Sequence, residues 1–273
     1  MIYISSSLYW EAAPLIKAFG LKKNTKIKGF EVFEGNRIKL IITGTGPIKA
    51  AASLSFLLSS GVNKEDFFVN IGVCGSKIKE IPLGTPFLCN KIYENYSGRV
   101  FYIDMLLKSP FNEEGIESFA HMVYDAKEVT EPLFDMEAAA LYQTAKLFFH
   151  EHQISFIKIV SDYGDKSIIK GDFIENIVSK NIDKISQWLE TLANANLSPK
   201  EIFTKEELNE IIEFSDSMGF TETMKNELLS LMTFYRLKGY EPMDMLKAYR
   251  GEKLGEKREG KKIFNEIREK IVK

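Results

Sequence analysis

Residues 134–165 read FDMEAAALYQTAKLFFHEHQISFIKIVSDYGD, and this stretch restricts the folds open to the chain more than any other. An Ala-rich helix is expected to carry Glu137 in its first turn. A connection follows near 150–153, and then a buried strand at 156–160 that ends at Asp162. A helix returning directly into a buried strand belongs to α/β architecture. Open α/β sheets place their ligand crevice beyond the carboxyl ends of the strands, so the two acids are expected to meet at one site.

The whole chain is compatible with that reading. Its 273 residues, 45% hydrophobic and 27% charged, suffice for one substantial α/β domain plus a smaller piece. A net charge of −2 provides no basic field, so neither nucleic acid nor an acidic membrane surface is expected as a partner, and small molecules or proteins are. Met1 leads straight into an apolar, Ser-rich strand without a basic leader. No apolar run is long enough to span a bilayer, so a cytoplasmic location is expected. Cys74 and Cys89 form no CxxC pair and the chain has three His, so neither a disulfide framework nor a metal is expected; each Cys reads as a small buried apolar side chain.

The first strand is expected at 2–6 and a helix at 9–19, closed by Gly20, with Pro14 in or near its first turn. Glu11 then stands at the strand-to-helix junction, where on its own it reads as an exposed acid stabilised by the helix dipole. Strands at 28–33 and 37–43 flank the hairpin signal Glu34-Gly35-Asn36. Gly44-Thr45-Gly46-Pro47 opens a small-residue helix at 48–59, a turn that lets backbone approach an anion or a sugar. Further strands are expected at 67–73 and 84–93. A helix running from Asp172, as its cap, to Leu192 closes the domain with Ile174, Ile177, Ile185 and Trp188 on its apolar face.

Residues 194–199 read as a linker, and no strand signal follows them. Thr204-Lys205-Glu206-Glu207 is a capping-box pattern, and three or four helices are expected behind it. Lys257, Arg258, Lys261 and Lys262 are interspersed with Glu252, Glu256 and Glu259, which reads as a solvated mixed-charge linker rather than a nucleic-acid site. The expected organisation is an α/β domain over 1–193 and a small all-helical appendage over 194–273.

Asp135-Met136-Glu137-Ala138-Ala139-Ala140, followed by a hydrophobic strand and Ser161-Asp162, resembles the nucleoside phosphorylase/nucleosidase superfamily. Within it, the methylthioadenosine/S-adenosylhomocysteine nucleosidase branch is the most similar. Trp10-Glu11-Ala12-Ala13-Pro14-Leu15-Ile16, the glycine turn at Gly44–Gly46, and Gly72 and Gly75 fall in the family's order. The resemblance covers roughly the first two-thirds of the chain. It implies a three-layer αβα domain around a mixed sheet, no metal or organic cofactor, and a homo-oligomer. Its substrate would be a purine nucleoside with a 5′ substituent.

The same resemblance implies roles. Met136 and Glu137 would face the ribose, Asp162 would protonate the departing purine, and Glu11 would activate water, with Gly72 at the substrate. Where similar purine phosphorylases place an Arg and a Ser for phosphate, this chain has Asn70 and Val73, which favours hydrolysis over phosphorolysis. The middle of the chain departs from the family pattern, and Lys127 takes the offset of the base-stacking aromatic. Tyr163, beside the proposed acid, is the preferred replacement, with Phe101, Tyr102, Phe111 and Phe119 as further candidates and Arg99 as a phosphate contact if the substrate is a nucleotide. The chemistry agrees with three carboxylates. Cleaving an N-glycosidic bond builds positive charge on ribose and negative charge on the base, so one acid must hold or share a proton, one must face the ribose and one must orient water. A phosphorylase of the same fold and a non-catalytic nucleoside-binding protein are the alternatives.

Overall fold

The computed structural model describes residues 1–165, 170–195, 202–249 and 257–272, and contacts divide the chain into two compact units, Met1–Leu197 and Ser198–Lys273. In chain order the first unit runs β1 (Ile2–Ser6), α1 (Tyr9–Ala18), β2 (Lys22–Lys23), β3 (Glu31–Glu34), β4 (Ile38–Ile42), α2 (Pro47–Leu58) and β5 (Phe67–Ser76). It continues with β6 (Pro86–Glu94), β7 (Arg99–Tyr102), β8 (Asn112–Ser118), β9 (Leu133–Asp135), α3 (Ala138–Ala145), β10 (Ile154–Asp162), α4 (Gly171–Ser179) and α5 (Ile182–Asn194).

All the strands share one mixed sheet. Its parallel centre is β4-β1-β5-β10. The antiparallel hairpin β3–β4 and the short β2 extend one side. On the other side β10, β6, β8 and β9 follow one another, and β9 pairs back onto β5, so that β5, β10, β6, β8 and β9 close into a ring. Strand alternation sends Phe68, Phe156 and Val160 into one core layer with Leu54 of α2 and Leu141 of α3. Val69, Ile71, Ile157 and Ile159 enter the opposite layer with Leu15 of α1, Ile174 of α4 and Trp188 of α5. Each of these large side chains contributes about 1.5–3 kcal/mol by leaving water. Helices on both faces make the unit α/β, with the sheet buried between them.

Several elements differ from the sequence expectation. Pro14 lies in the second turn of α1, where the burial of Ala12 and Leu15 holds the helix despite a missing N–H. Phe134 lies in the short strand β9, and Glu137 is the N-cap residue of α3 rather than a member of its first turn. The helix expected over 172–192 is broken at Lys180-Asn181. There the buried Asn181 amide donates to the carbonyls of Ile177 at 2.8 Å and Gly84 at 2.9 Å, and Lys170 rather than Asp172 holds the cap position. Strand β8 carries no apolar alternation, yet it pairs with both β6 and β9.

The second unit holds α6 (Lys205–Ser217), α7 (Glu222–Leu237), α8 (Pro242–Lys247) and α9 (Lys257–Val272) around a core that includes Phe214, Leu228, Met232, Leu246 and Ile267. Thr204 and Glu207 cap α6 reciprocally: Glu207 N–H donates to Thr204 Oγ1 at 3.2 Å, and Thr204 N–H to Glu207 Oε2 at 2.7 Å. Residues 257–262, expected as a linker, belong to α9 because Ile263, Phe264, Ile267 and Ile271 bury one face of it. The expected linker at 194–199 lies, from 196 on, outside the described residues.

Candidate active site

A cavity of about 500 Å³ lies at the carboxyl ends of the parallel strands β1, β5 and β10. That is the volume of a small-molecule site, in the place where such sheets hold their ligands. Ser7 and Leu8 line it from the β1–α1 turn, Glu11 from the first turn of α1, Val73, Cys74 and Gly75 from β5, Phe134 to Glu137 from the β9–α3 junction, and Ser161 and Asp162 from β10. The structure therefore brings Glu11, Met136, Glu137 and Asp162 together.

Glu11 is buried rather than exposed, with 2% of its surface accessible. One carboxylate oxygen accepts the N–H groups of Ser7 at 2.6 Å and Leu8 at 2.8 Å, and the other accepts Val73 N–H at 2.8 Å. Burial raises its pKa above the usual carboxylate value, while the Val73 and Leu8 amides and the Lys158 ammonium oppose that rise. The outcome is a fixed carboxylate with raised basicity, as a group that takes a proton from water requires.

Glu137 follows the short strand β9, and one of its oxygens accepts Gly46 N–H at 2.7 Å. Gly46 caps α2 with φ +93°, a conformation that leaves this amide free to point away from the helix. The Glu137 pKa is pushed up to about 7, first by burial and then by the neighbouring Asp135 carboxylate, against the Lys158 ammonium and the Gly46 amide.

Asp135 also lines the cavity. It is paired at 2.7 Å with Lys158 of β10, the two side chains being 2% and 1% exposed. Lys158 has the strand parity of Phe156 and Val160, so its stem crosses the apolar layer that they fill. Burial acts to lower its pKa, but the carboxylates of Asp135 and Glu137 outweigh that and hold it above the usual lysine value. Sequence reasoning missed this pair. One Lys inside an otherwise apolar strand is the signal that pointed to it, because a buried ammonium needs a buried partner.

Asp162 ends β10 with one oxygen accepting Ser161 Oγ–H at 2.8 Å and the other accepting Gly164 N–H at 2.9 Å. Each oxygen keeps further acceptor capacity for a ligand. Gly72 is not part of the cavity wall. A Cβ built there would lie 3.0 Å from Glu11 Oε1, so Gly72 makes room for the Glu11 carboxylate.

Tyr163 is also displaced from its expected place. Its hydroxyl donates to the Ile81 carbonyl at 2.7 Å and its ring packs on the core, outside the cavity wall. None of the other aromatic candidates lines the cavity. Phe101 lies against Tyr142, Phe111 and Phe119 are buried in apolar clusters, and Tyr102 is 70% exposed. The aromatic walls are Tyr124 and Phe134. Phe134, directly ahead of Asp135-Met136-Glu137, was findable from its position, whereas nothing in the sequence marks Tyr124. Arg99 pairs with Glu94 at 3.3 Å, and Lys127 sits in a short 3₁₀ turn capped by Asp125, both outside the cavity wall. Asn70 donates to the carbonyl and the hydroxyl of Ser5, each at 3.1 Å, and Val73 gives its N–H to Glu11. Asn70 and Val73 are thus both engaged within the protein.

No family model matches the sequence. No curated protein matches it either. Solved structures do match the fold. The Arabidopsis thaliana 5′-methylthioadenosine nucleosidase aligns over 72% of this chain and 97% of its own, with a TM-score of 0.61 at 18% identity. The S. pneumoniae 5′-methylthioadenosine/S-adenosylhomocysteine nucleosidase aligns over 70% of this chain and 99% of its own, with a TM-score of 0.59 at 17% identity. The Helicobacter pylori futalosine hydrolase aligns over 69% of this chain and 97% of its own, with a TM-score of 0.56 at 15% identity. The fold implied by the sequence motifs is therefore the fold of the α/β unit.

Proposed function

We propose that the chain is a nucleosidase that hydrolyses the N-glycosidic bond of a purine nucleoside carrying a 5′ substituent. The observation that carries this reading is the convergence of Glu11, Glu137 and Asp162 on one cavity at the strand ends. Asp162 supplies the proton that the leaving base needs. Glu137 accepts hydrogen bonds from the ribose hydroxyls and opposes the positive charge that grows on the sugar. Glu11, clamped by three backbone amides, orients water and takes its proton. Met136 lies against the ribose, and Tyr124 and Phe134 offer faces to the base. The solved structures of similar fold favour this reading, since one of them, from Helicobacter pylori, holds 5′-methylthioadenosine in its active site. Water rather than phosphate is favoured as the acceptor because Asn70 and Val73 are committed to Ser5 and Glu11.

The test is chromatographic measurement of base release from a panel of purine and pyrimidine nucleosides and 5′-thionucleosides, with and without phosphate. Phosphate-independent release of a purine, lost in Asp162→Asn, is the expected result. Release that depends on phosphate would make the protein a phosphorylase. Nucleoside binding with no release from any substrate would make it a binding protein.

A further inference from the structure

Lys158 takes no part in the chemistry above, yet it lies beneath the site. Its neighbours on the same strand face are Phe156 and Val160, and Gly72 lies opposite it on β5. Asp135, its partner at 2.7 Å, also accepts Ala138 N–H at 2.9 Å through the same oxygen and at 3.2 Å through the other. Asp135 therefore ties Lys158 to the first residue of α3, immediately after Glu137. Gly46 N–H from the start of α2 donates to Glu137, and the charges that act on Glu137 are the Asp135 carboxylate of β9, the Lys158 ammonium of β10 and the Glu11 carboxylate of α1. No Lys or Arg occurs among the described residues that line the cavity.

We propose that Lys158 is a positioning residue of this site: through Asp135 it fixes the junction that aims Glu137, and its charge lets Glu137 meet the ribose as a carboxylate beside two other acids. Lys158 does not touch the substrate and acts through its neighbours. The inference rests on the reading of Glu137 as the ribose-binding group. It is supported by the balance at Glu137, where burial and Asp135 raise the pKa and Lys158 is the largest opposing influence.

The experiment is an NMR titration of the full chain labelled with ¹³C at the glutamate carboxyls, with Glu137→Gln identifying the signal. Lys158→Met should raise the Glu137 midpoint by about one pH unit or more, since it removes the opposite charge that counters the rise. Asp135→Asn should lower it by a similar amount, because the anion goes and Lys158 stays. Lys158→Arg should leave it near the wild-type value. If Lys158→Met fails to fold, Asp135→Asn and Lys158→Arg carry the test. Any folded variant whose midpoint fails to behave as stated overturns the inference. A second readout is the acid limb of kcat/KM for adenine release from 5′-methylthioadenosine, which should move to higher pH in Lys158→Met and return in Lys158→Arg. The two proposals fail separately. Midpoints that move as stated in a wild-type protein releasing no base would keep the electrostatic role of Lys158 and remove the hydrolase reading.

Discussion

The N–H of Gly46 meets the Glu137 carboxylate at 2.7 Å, so the start of α2 is aimed at an acid of the protein's own. A helix N-terminus favours negative charge, and this one is supplied with it from a distant part of the chain. Its amide opposes the rise that burial and Asp135 impose on Glu137.

That balance gives stability a pH dependence of definite sign. With the Glu137 pKa raised to about 7 in the folded protein, the native state holds this proton more tightly than the unfolded chain does. The associated stability is full below the ordinary glutamate value and is lost as pH rises through about 7. Glu11, also raised, adds in the same direction. Glu137→Gln, which keeps an acceptor for Gly46, should therefore be more stable than wild type at pH 8, by something on the order of 1–3 kcal/mol. Thermal unfolding at several pH values should show the gap closing toward pH 5.

Glu11→Gln should damage both activity and stability. The carboxylate accepts N–H groups on both oxygens, and a Gln must turn its own NH₂ toward at least one of those donors. The mismatch is expected to cost about 1–3 kcal/mol. Losing the base should lower kcat by roughly 100-fold or more at constant substrate affinity. Urea unfolding and steady-state kinetics on the same preparation would check the two effects.

Gly72→Ala should separate activity from folding. The added methyl would lie 3.0 Å from Glu11 Oε1 and 3.3 Å from its carboxyl carbon, so the carboxylate must shift to accommodate it. A displacement of a few tenths of an ångström should reduce kcat by about tenfold or more, because a catalytic group tolerates little misplacement. Circular dichroism should show an unchanged fold.

Tyr124→Ala tests recognition of the base. Tyr124 is 56% exposed and lines the cavity, so its loss removes a ligand surface without opening the core. The expected result is an unchanged Tm with a KM raised by about 10- to 100-fold, which is the range of one aromatic stacking contact on a base. An unaltered KM would assign the base to Phe134 alone.

The parts of the site that the sequence revealed are those whose position in a motif coincides with their place in space. Glu11 follows β1, Glu137 precedes α3 and Asp162 ends β10; strand ends were enough to gather the last two, and Glu11 joined them through the family resemblance. What stayed hidden depends on pairing across the chain. Strand β9 has three residues, too few for any periodicity, and exists because it lies between β5 and β8. Strand β8 reads NEEGIES, with no apolar alternation. Its buried Glu117 is accommodated by the amides of Thr130 and Glu131 and the side chain of Asn95, which no local pattern announces. Tyr163 was misplaced because adjacency to Asp162 fixes its backbone but not its side chain, which turns to the Ile81 carbonyl. The capping box at Thr204 was legible because all of its partners lie within four residues.

The groups that hold Glu11 and Glu137 are the main-chain amides of Ser7, Leu8, Val73 and Gly46. Every amino acid except proline carries such an amide. Three of the four holding positions are therefore free to exchange their side chains without releasing the acids, as long as the backbone keeps its path. The constraint falls instead on positions defined by something missing: Gly46, whose φ of +93° no ordinary side chain adopts comfortably, and Gly72, where a single methyl would press on Glu11. Such a design can lose most of its spelling through descent and still present the same two carboxylates to whatever enters the cavity.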